Sequence, residues 1–313
     1  MADRYTLDQL ESDLSDLAPK IRELLALEVA VVEWNVITAA ASLTGGPSFP
    51  IYYEGALRQV DEQYPDGGLD FLGNLPDRCR RIVGIAPEPF RSAQGTLEAI
   101  AVDLVDLEGA PGNILGKIGN WYGDAAEAFE EYFSGYAPAQ ARQAELLASA
   151  INACMSLDEM VTAAGGALRS QMKGAIELAQ SLIEGYWAAQ SALTVAVGVT
   201  VIGLATMGFG LAAAAGAAAL ASAIGGGAGA LASGVYSIQQ VEKEMSAKSL
   251  EEFIDALDAN LVEVEEAVNT ADQEIYDAID ALRSEWTMRQ IEIPAPPGAG
   301  DVDTESFHHE SSF

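Results

Sequence analysis

A long run of residues without a charged side chain most constrains what this chain can fold into. Residues 185–241 contain no Asp, Glu, Lys or Arg, whereas the sequence as a whole is 20% charged. A membrane-spanning helix needs about 20 apolar residues, so the run could supply two spans and a turn. Small residues recur within it at intervals of four, as at Gly208, Ala212 and Gly216. This spacing lets helices approach one another closely.

Three interpretations of this uncharged run remain open. It is a buried hairpin in the core of a soluble bundle, a pair of constitutive membrane spans, or a hairpin that is sheltered until it enters a bilayer. Constitutive spans are disfavoured, because the nearest flanking charges are Glu184 and Glu242 and the basic flanks that orient such spans are missing. We favour the third interpretation, because Ala- and Gly-rich surface loses less free energy on exposure than Leu-rich surface would. The residues predicted to contact membrane are Val195, Val197, Val199, Val201, Ile202, Leu204, Phe209 and Leu211.

The secondary structure of the run is ambiguous. Valines alternate with smaller residues from Val195 to Val201, which is the period of a strand, whereas the Ala- and Gly-rich part that follows suits helices. A short β-tongue and a helical hairpin both fit the sequence.

The rest of the chain predicts an all-α fold, an elongated antiparallel bundle of long helices that carries the hydrophobic Ala/Gly-rich hairpin. Leucines and Ile21 recur at threes and fours from Leu7 to Leu24, with Thr6 as N-cap. We expect Pro19 to end one helix and begin another, which spans roughly 19–42. Apolar residues hold a heptad spacing over 250–286, which is typical of a long helix in a bundle or coiled coil.

Five segments follow from these patterns. They are an N-terminal helical region with irregular connections (1–90), a helical hairpin (91–190), the hydrophobic hairpin (191–235), a heptad-patterned helix (236–290) and a disordered acidic tail (291–313). Within the second segment we expect breaks or bends at 108–113, at Pro138 and at Gly165-Gly166.

Composition argues against several functions. A net charge of -31 repels phosphate backbones, so we expect no nucleic-acid partner. The two histidines, His308 and His309, lie in the tail, which excludes a histidine-based site in the folded body. We interpret Cys79 and Cys154 as two small buried side chains, and a disulfide bond between them is the alternative. We therefore expect neither an enzyme nor a metal or cofactor. The acidic N-terminus also lacks the features of a Sec signal peptide.

Residues 119–129, GNWYGDAAEAF, predict a turn between two helices with a tryptophan at its apex. A glycine and an asparagine can end the incoming helix, and Asp124 suits the start of the next. The motif resembles the WxG signature of type VII (ESX) secretion substrates, over roughly residues 92–190, and within that class the longer, multi-helix members. The resemblance implies that Trp121 and Gly123 shape a turn that the secretion machinery reads.

The second part of that family's signal is Y-x-x-x-D/E, and Tyr276 with Asp280 fits it. The resemblance implies export without a Sec signal to the medium or cell surface. It also implies a secretion ATPase or a small WxG protein as partner. Membrane lipid and further copies of the chain are the other expected partners. An α-helical pore-forming toxin similar to haemolysin E, or a purely structural bundle protein, are the alternatives.

Overall fold

The structure, a computed structural model, describes residues 4–40, 48–65, 67–106, 110–118, 124–134, 136–189, 195–205 and 237–288. The helices are α1 (Leu7–Ala40), α2 (Phe49–Gln63), α3 (Leu75–Val83), α4 (Glu88–Asp106), α5 (Ala110–Ile118), α6 (Asp124–Ser134), α7 (Tyr136–Ala189) and α8 (Leu250–Met288), with a 3-10 turn at Leu69–Leu72. Two strands, β1 (Val195–Ala205) and β2 (Ser237–Ala247), follow α7 in the chain and pair antiparallel. The expected all-α class with long helices is confirmed, since α7 has 54 residues and α8 has 39.

The chain divides into two compact units. The first unit comprises Met1–Pro87, Asp158–Ala205 and Ser237–Asp272, and the second comprises Glu88–Leu157, Thr206–Tyr236 and Gln273–Phe313. Helices α7 and α8 therefore contribute residues to both units.

Helix α1 begins with the predicted cap and continues further than predicted. The backbone N–H of Gln9 donates to Oγ1 of Thr6 at 3.3 Å, and the backbone N–H of Thr6 donates to Oε1 of Gln9 at 3.0 Å. This capping box satisfies two otherwise unpaired donors. The expected break at Pro19 is wrong, because α1 runs through it. An interior proline costs about 3 kcal/mol, but each fully buried leucine on the same helix face stabilises by about 1.5–3 kcal/mol.

The core of the first unit is built from α1, the second half of α7 and the first half of α8. Lys20 Nζ donates to Gln180 Oε1 at 2.5 Å, and the Tyr5 backbone lies beside Gly165, so α1 and α7 run parallel. The core side chains from these helices include Leu10, Leu14, Leu17, Ile21, Leu24, Leu27, Leu168, Met172, Leu178, Phe253, Leu257, Leu261 and Val264.

The short helix α3 is tied to α8 by one arginine. The guanidinium of Arg78 donates to both carboxylate oxygens of Glu265, at 2.7 Å from Nη2 to Oε2 and 3.0 Å from Nε to Oε1, and it also contacts Asp258. Such a two-pronged, charge-assisted pair fixes orientation as well as adding stability.

The second unit has its own core. Ala101 of α4 packs with Ala144, Leu147 and Ile151 of α7, and the amide of Gln140 donates to the carbonyl oxygen of Leu104 at 2.6 Å. These contacts hold α4 against the first half of α7.

Helix boundaries confirm some predicted breaks and correct others. Helix α4 ends at Asp106 and α5 begins at Ala110, near the interruption predicted at 108–113. No break occurs at Pro138 or at Gly165-Gly166, because both lie inside α7. Pro138 lies in the first turn of α7, where a backbone N–H has no helical acceptor, so the missing N–H of proline costs no hydrogen bond there. The heptad helix is confirmed from Leu250 onward. Residues 237–247, placed in that helix by the sequence analysis, are instead strand β2.

Candidate functional site

Residues 195–205 of the uncharged run form the first strand of a two-stranded ribbon, so this part of the run is strand and not helix. Strand β1 pairs with β2 in continuous antiparallel register, from Val195 opposite Ala247 to Ala205 opposite Ser237. We call this pair of strands the ribbon. Beta-branched valines at every second position suit a strand with one packed face. Residues 206–236, which connect the strands in the chain, lie outside the described residues.

The ribbon has a packed face and an exposed face. Val199, Met245 and Ala247 are each 1% exposed and belong to the core of the first unit, and Val197 is partly buried against it. Ala196, Gly198, Glu244 and Ser246, at the alternating positions, are exposed. The valine period in the sequence therefore marks the face that rests on the bundle.

A glycine on α7 allows the ribbon to come this close. Cγ1 of Val199 lies less than 3.0 Å from the place that a Cβ on Gly174 would occupy, and Met245 Cε lies 3.8 Å from it. Residue 199 comes after the end of α7, yet it contacts residue 174, well before that end. The ribbon therefore folds back along α7 rather than continuing beyond it.

The described side chains of the ribbon contact the bundle through Val197, Val199, Met245 and Ala247. Burial of Val199 and Met245 stabilises the docked position by about 3–6 kcal/mol together. The ion pair between Lys243 and Glu263 adds little, because the two side chains are 46% and 40% exposed.

The base of the ribbon, in contrast, is held firmly. Oε1 of Glu28 accepts hydrogen bonds from the Tyr186 hydroxyl at 3.0 Å and from the Leu250 backbone N–H at 2.5 Å. The Tyr186 hydroxyl also lies 3.3 Å from the carbonyl oxygen of Lys248. Burial, and then the neighbouring Glu28 carboxylate, raise the pKa of Tyr186. These bonds join α1, α7 and the start of α8 at the point where the ribbon leaves the bundle.

The structure locates most of the residues predicted to meet a membrane. Val195, Val197, Val199, Val201, Ile202 and Leu204 all lie on β1. Phe209 and Leu211 lie outside the described residues. Within the described ranges, no helix is both long and apolar enough to cross a membrane.

The structure describes one of the two parts of the predicted secretion signal. Trp121 and Gly123 lie outside the described residues, between α5 and α6. Tyr276 is on α8 with 64% of its surface exposed, and Asp280, one turn further along the same helix, is exposed too.

The other features of the described residues are two cysteines and a cavity beside α3. Both cysteines are free thiols, and burial raises the pKa of Cys79 to about 12. The described part of the chain contains no group of three or more metal-ligating side chains. A cavity of about 530 Å³ beside α3 is lined by Asn74, Arg78, Arg81, Ile82, Ile85, Glu265, Val268 and Asn269. The Arg78–Glu265 pair that ties α3 to α8 forms part of its wall.

Sequence reasoning missed two parts of this region. Strand β2 was not expected, because its sequence SIQQVEKEMSA is polar and runs into charged residues. The sequence pattern that could have indicated β2 is the recurrence of Val241, Met245 and Ala247 at odd-numbered positions. In the structure these residues, with Lys243, pair with the valines of β1. The aromatic residues around Trp34 were also missed, although residues 29–53 contain a single charge.

Compared with protein families, characterised proteins and solved structures, the chain matches none of them.

Proposed function

We propose that this protein inserts the apolar end of its ribbon into lipid bilayers and acts as a pore former of the haemolysin E kind. The observation that carries the proposal is the ribbon itself, a strand pair with an uncharged outer part that rests on the outside of a bundle. Its described part has a packed face, an exposed second face and a firmly bonded base. A hairpin built only as core would not leave Ala196 and Gly198 exposed.

Strand pairing suits entry into lipid. Within hydrocarbon every backbone donor and acceptor needs a partner, and a paired ribbon supplies many of them in advance. Sequences that cross a bilayer as strands need about 9–11 residues each, and the uncharged segment 201–241 is long enough for two such crossings. Closing the remaining edges requires other ribbons, so the proposal includes a homo-oligomer in the membrane.

Charges on β2 set the depth of insertion. Glu242, Lys243 and Glu244 pair in register with Thr200, Val199 and Gly198, and charged side chains are costly in hydrocarbon. The segment that enters lipid is therefore 201–241, which is wholly uncharged. The part of the ribbon nearer the bundle remains at the interface.

Dye release from phosphatidylcholine vesicles tests this function with a matched pair of variants. Ile202→Asp places a charge within 201–241, and we expect it to slow release at least tenfold. Ala196→Asp makes the same change at an exposed position of the same strand, on the interfacial side of Glu242, and should leave release unchanged. Both positions alternate with Val199, so docking is preserved in each variant. Absence of leakage with the unaltered protein would sink the proposal.

We propose, as a second and compatible function, that the chain is exported by a type VII system. The exposure of Tyr276 and Asp280 on one helix supports this, because a recognition signal must be accessible before it can be read. The partner would be a secretion ATPase or a small WxG protein, and the destination the medium or the cell surface.

Export from cells that carry such a system tests the second function. Trp121→Ala and Tyr276→Ala should each abolish export while the purified variants keep the helical circular dichroism of the parent. Ile279→Ala is the control, since Ile279 is 43% exposed on the same helix but lies outside the motif. Normal export of both motif variants would rule the signal out.

A further inference from the structure

The cavity beside α3 lies between one face of α3 and one face of α8. The residues that line it from each helix have the same spacing, three and then one residue apart: Arg78, Arg81 and Ile82 on α3, and Glu265, Val268 and Asn269 on α8. Side chains three and four residues apart share one face of a helix. Both faces belong to the first unit, and a volume of about 530 Å³ is typical of a small-molecule site.

Two arginines hold the walls of this cavity in place. The bidentate bond from Arg78 to Glu265 joins α3 to α8. Nη2 of Arg4 donates to the carbonyl oxygens of Val83 and Ile85, at 3.2 and 2.5 Å, and so fixes the chain where α3 ends. A ligand that enters a cavity formed in advance has little ordering of the protein to offset.

Other polar groups of the lining have no partner. Asn74 is at the N-cap of α3, but its side chain makes no capping bond, although asparagine is among the best capping residues. Arg81 makes no ion pair or hydrogen bond within the part of the chain that the structure describes. The other two arginines of α3, Arg78 and Arg80, each pair with two carboxylates. The guanidinium of Arg81 is therefore the one charge of the lining that is left for a ligand.

The lining sets the chemistry of that ligand. A guanidinium with a nearby amide suits a carboxylate, which it can hold by two parallel bonds. Ile82 is 6% exposed, and Ile85 and Val268 are partly buried, so the rest of the ligand meets apolar side chains. A phosphate carries more negative charge, and Glu265 in the same wall would repel it.

We propose that this cavity binds a small apolar monocarboxylate of the fatty-acid type. Arg81 holds the carboxylate, and Ile82, Ile85 and Val268 pack against the hydrocarbon. A ligand in this position contacts both α3 and α8, and it stabilises the first unit because it binds only where both helices are in place. The proposal does not depend on the ribbon, so it can fail while the insertion proposal stands.

Calorimetric titration of the full-length protein with octanoate, below its micelle-forming concentration, tests this site. Affinity should rise about fourfold for each methylene added from hexanoate to octanoate, because the added carbon is buried. Octanol keeps the hydrocarbon and lacks the charge, so it should bind about tenfold more weakly than octanoate. Inorganic phosphate should not bind.

Two pairs of matched variants locate the binding. Arg81→Gln should lower octanoate affinity about tenfold and leave that of octanol unchanged. Arg80→Gln makes the same change one residue earlier, outside the lining, and should bind as the parent does. Val268→Trp fills the cavity and should abolish binding of both ligands. Its control is Val262→Trp, at a position that is 36% exposed on the same helix. Circular dichroism checks that each variant is folded.

Each other result overturns the proposal. Equal affinity of Arg81→Gln and Arg80→Gln for octanoate would show that Arg81 does not hold the carboxylate. If octanol binds as tightly as octanoate, or Val268→Trp still binds, the ligand lies on another apolar surface. Tighter binding of phosphate than of octanoate would show an anion site without an apolar part. Absence of binding by hexanoate and octanoate alike would also refute the site, whatever the outcome of the dye-release experiments.

Discussion

Substitution of Gly174 by alanine should release the ribbon while leaving the bundle intact. A Cβ there would lie less than 3.0 Å from Cγ1 of Val199, closer than real side chains approach. Valine has few alternative rotamers, so the ribbon must shift or lift. Overpacking of this kind costs about 1–3 kcal/mol. Alanine also favours the helix by about 1 kcal/mol, but α7 is helical whether or not the ribbon is docked, so that gain cancels.

The expected change in the ribbon is therefore large. A cost of about 1–3 kcal/mol raises the undocked fraction by about 5- to 150-fold. The measurement is the rate at which a thiol reagent modifies Met245→Cys, a position that is 1% exposed when the ribbon is docked. Cys79 and Cys154 are replaced by alanine in every variant, so that a single thiol reports.

Two companion variants make the test specific. Gly165→Ala is the control on the same helix, because a Cβ there would lie 3.6 Å from Tyr5, an ordinary contact; its modification rate should match the parent. Val199→Ala removes Cγ1, the atom that would clash with Gly174→Ala. In the double variant, the Cβ atoms of residues 174 and 199 would then lie 3.7 Å apart, an ordinary contact. Val199→Ala should speed modification when residue 174 is glycine and slow it when residue 174 is alanine. A change in the same direction in both backgrounds would refute the reasoning.

Three further predictions concern the stability of the first unit. Arg78→Ala should lower the free energy of unfolding by about 2–3 kcal/mol in urea, whereas the exposed Arg80→Ala should cost less than about 1 kcal/mol; equal losses would contradict the packing of α3. Burial raises the pKa of Tyr5 and Tyr186, so the folded state keeps both phenol protons at a pH where the unfolded chain loses them, and stability should fall above about pH 10. Replacing both tyrosines by phenylalanine should flatten that decline in alkaline melts. Buried Gln171 donates from Nε2 to the carbonyl oxygen of Asn260 at 3.1 Å, whereas its Oε1 has no hydrogen-bond partner among the described residues. An orphaned buried oxygen costs about 1–3 kcal/mol and the bond contributes about 1 kcal/mol, so Gln171→Met should raise the melting temperature, and a lowered one would show that the bond to Asn260 matters more.

Regular periodicity predicted much of the fold. The heptads of 250–286, the leucines of α1 and the Thr6 cap all correspond to observed elements. These patterns are local, because a helix brings residues three and four apart onto one face. Pro19 misled for a related reason. Its local cost is readable from sequence, but the burial that outweighs it depends on α7 and α8.

The candidate site was predictable only in part. The valine alternation and the absence of charge pointed to β1, and its packed face follows the same period. Nothing local distinguishes Gly174 from the other glycines of α7, since its role depends on which strand crosses it. The edge-to-face contacts that join Trp34, Phe49 and Trp187 likewise come from three different helices, which only the tertiary fold brings together.

The variant Gly174→Cys/Val199→Cys, made without the natural cysteines, ties β1 to α7 under oxidising conditions, because Cβ of Val199 lies 3.7 Å from the Cβ position of Gly174 and a disulfide joins Cβ atoms about 3.8 Å apart. Dye release by this variant, measured before and after reduction on the same vesicles, tests the central claim most directly. If insertion of segment 201–241 requires the ribbon to leave α7, the oxidised protein bound to phosphatidylcholine vesicles should release no dye. Addition of a reductant should then start release at the rate of the cysteine-free parent. Equal leakage in the oxidised and reduced states would show that the membrane is breached without movement of the ribbon, and would contradict the account.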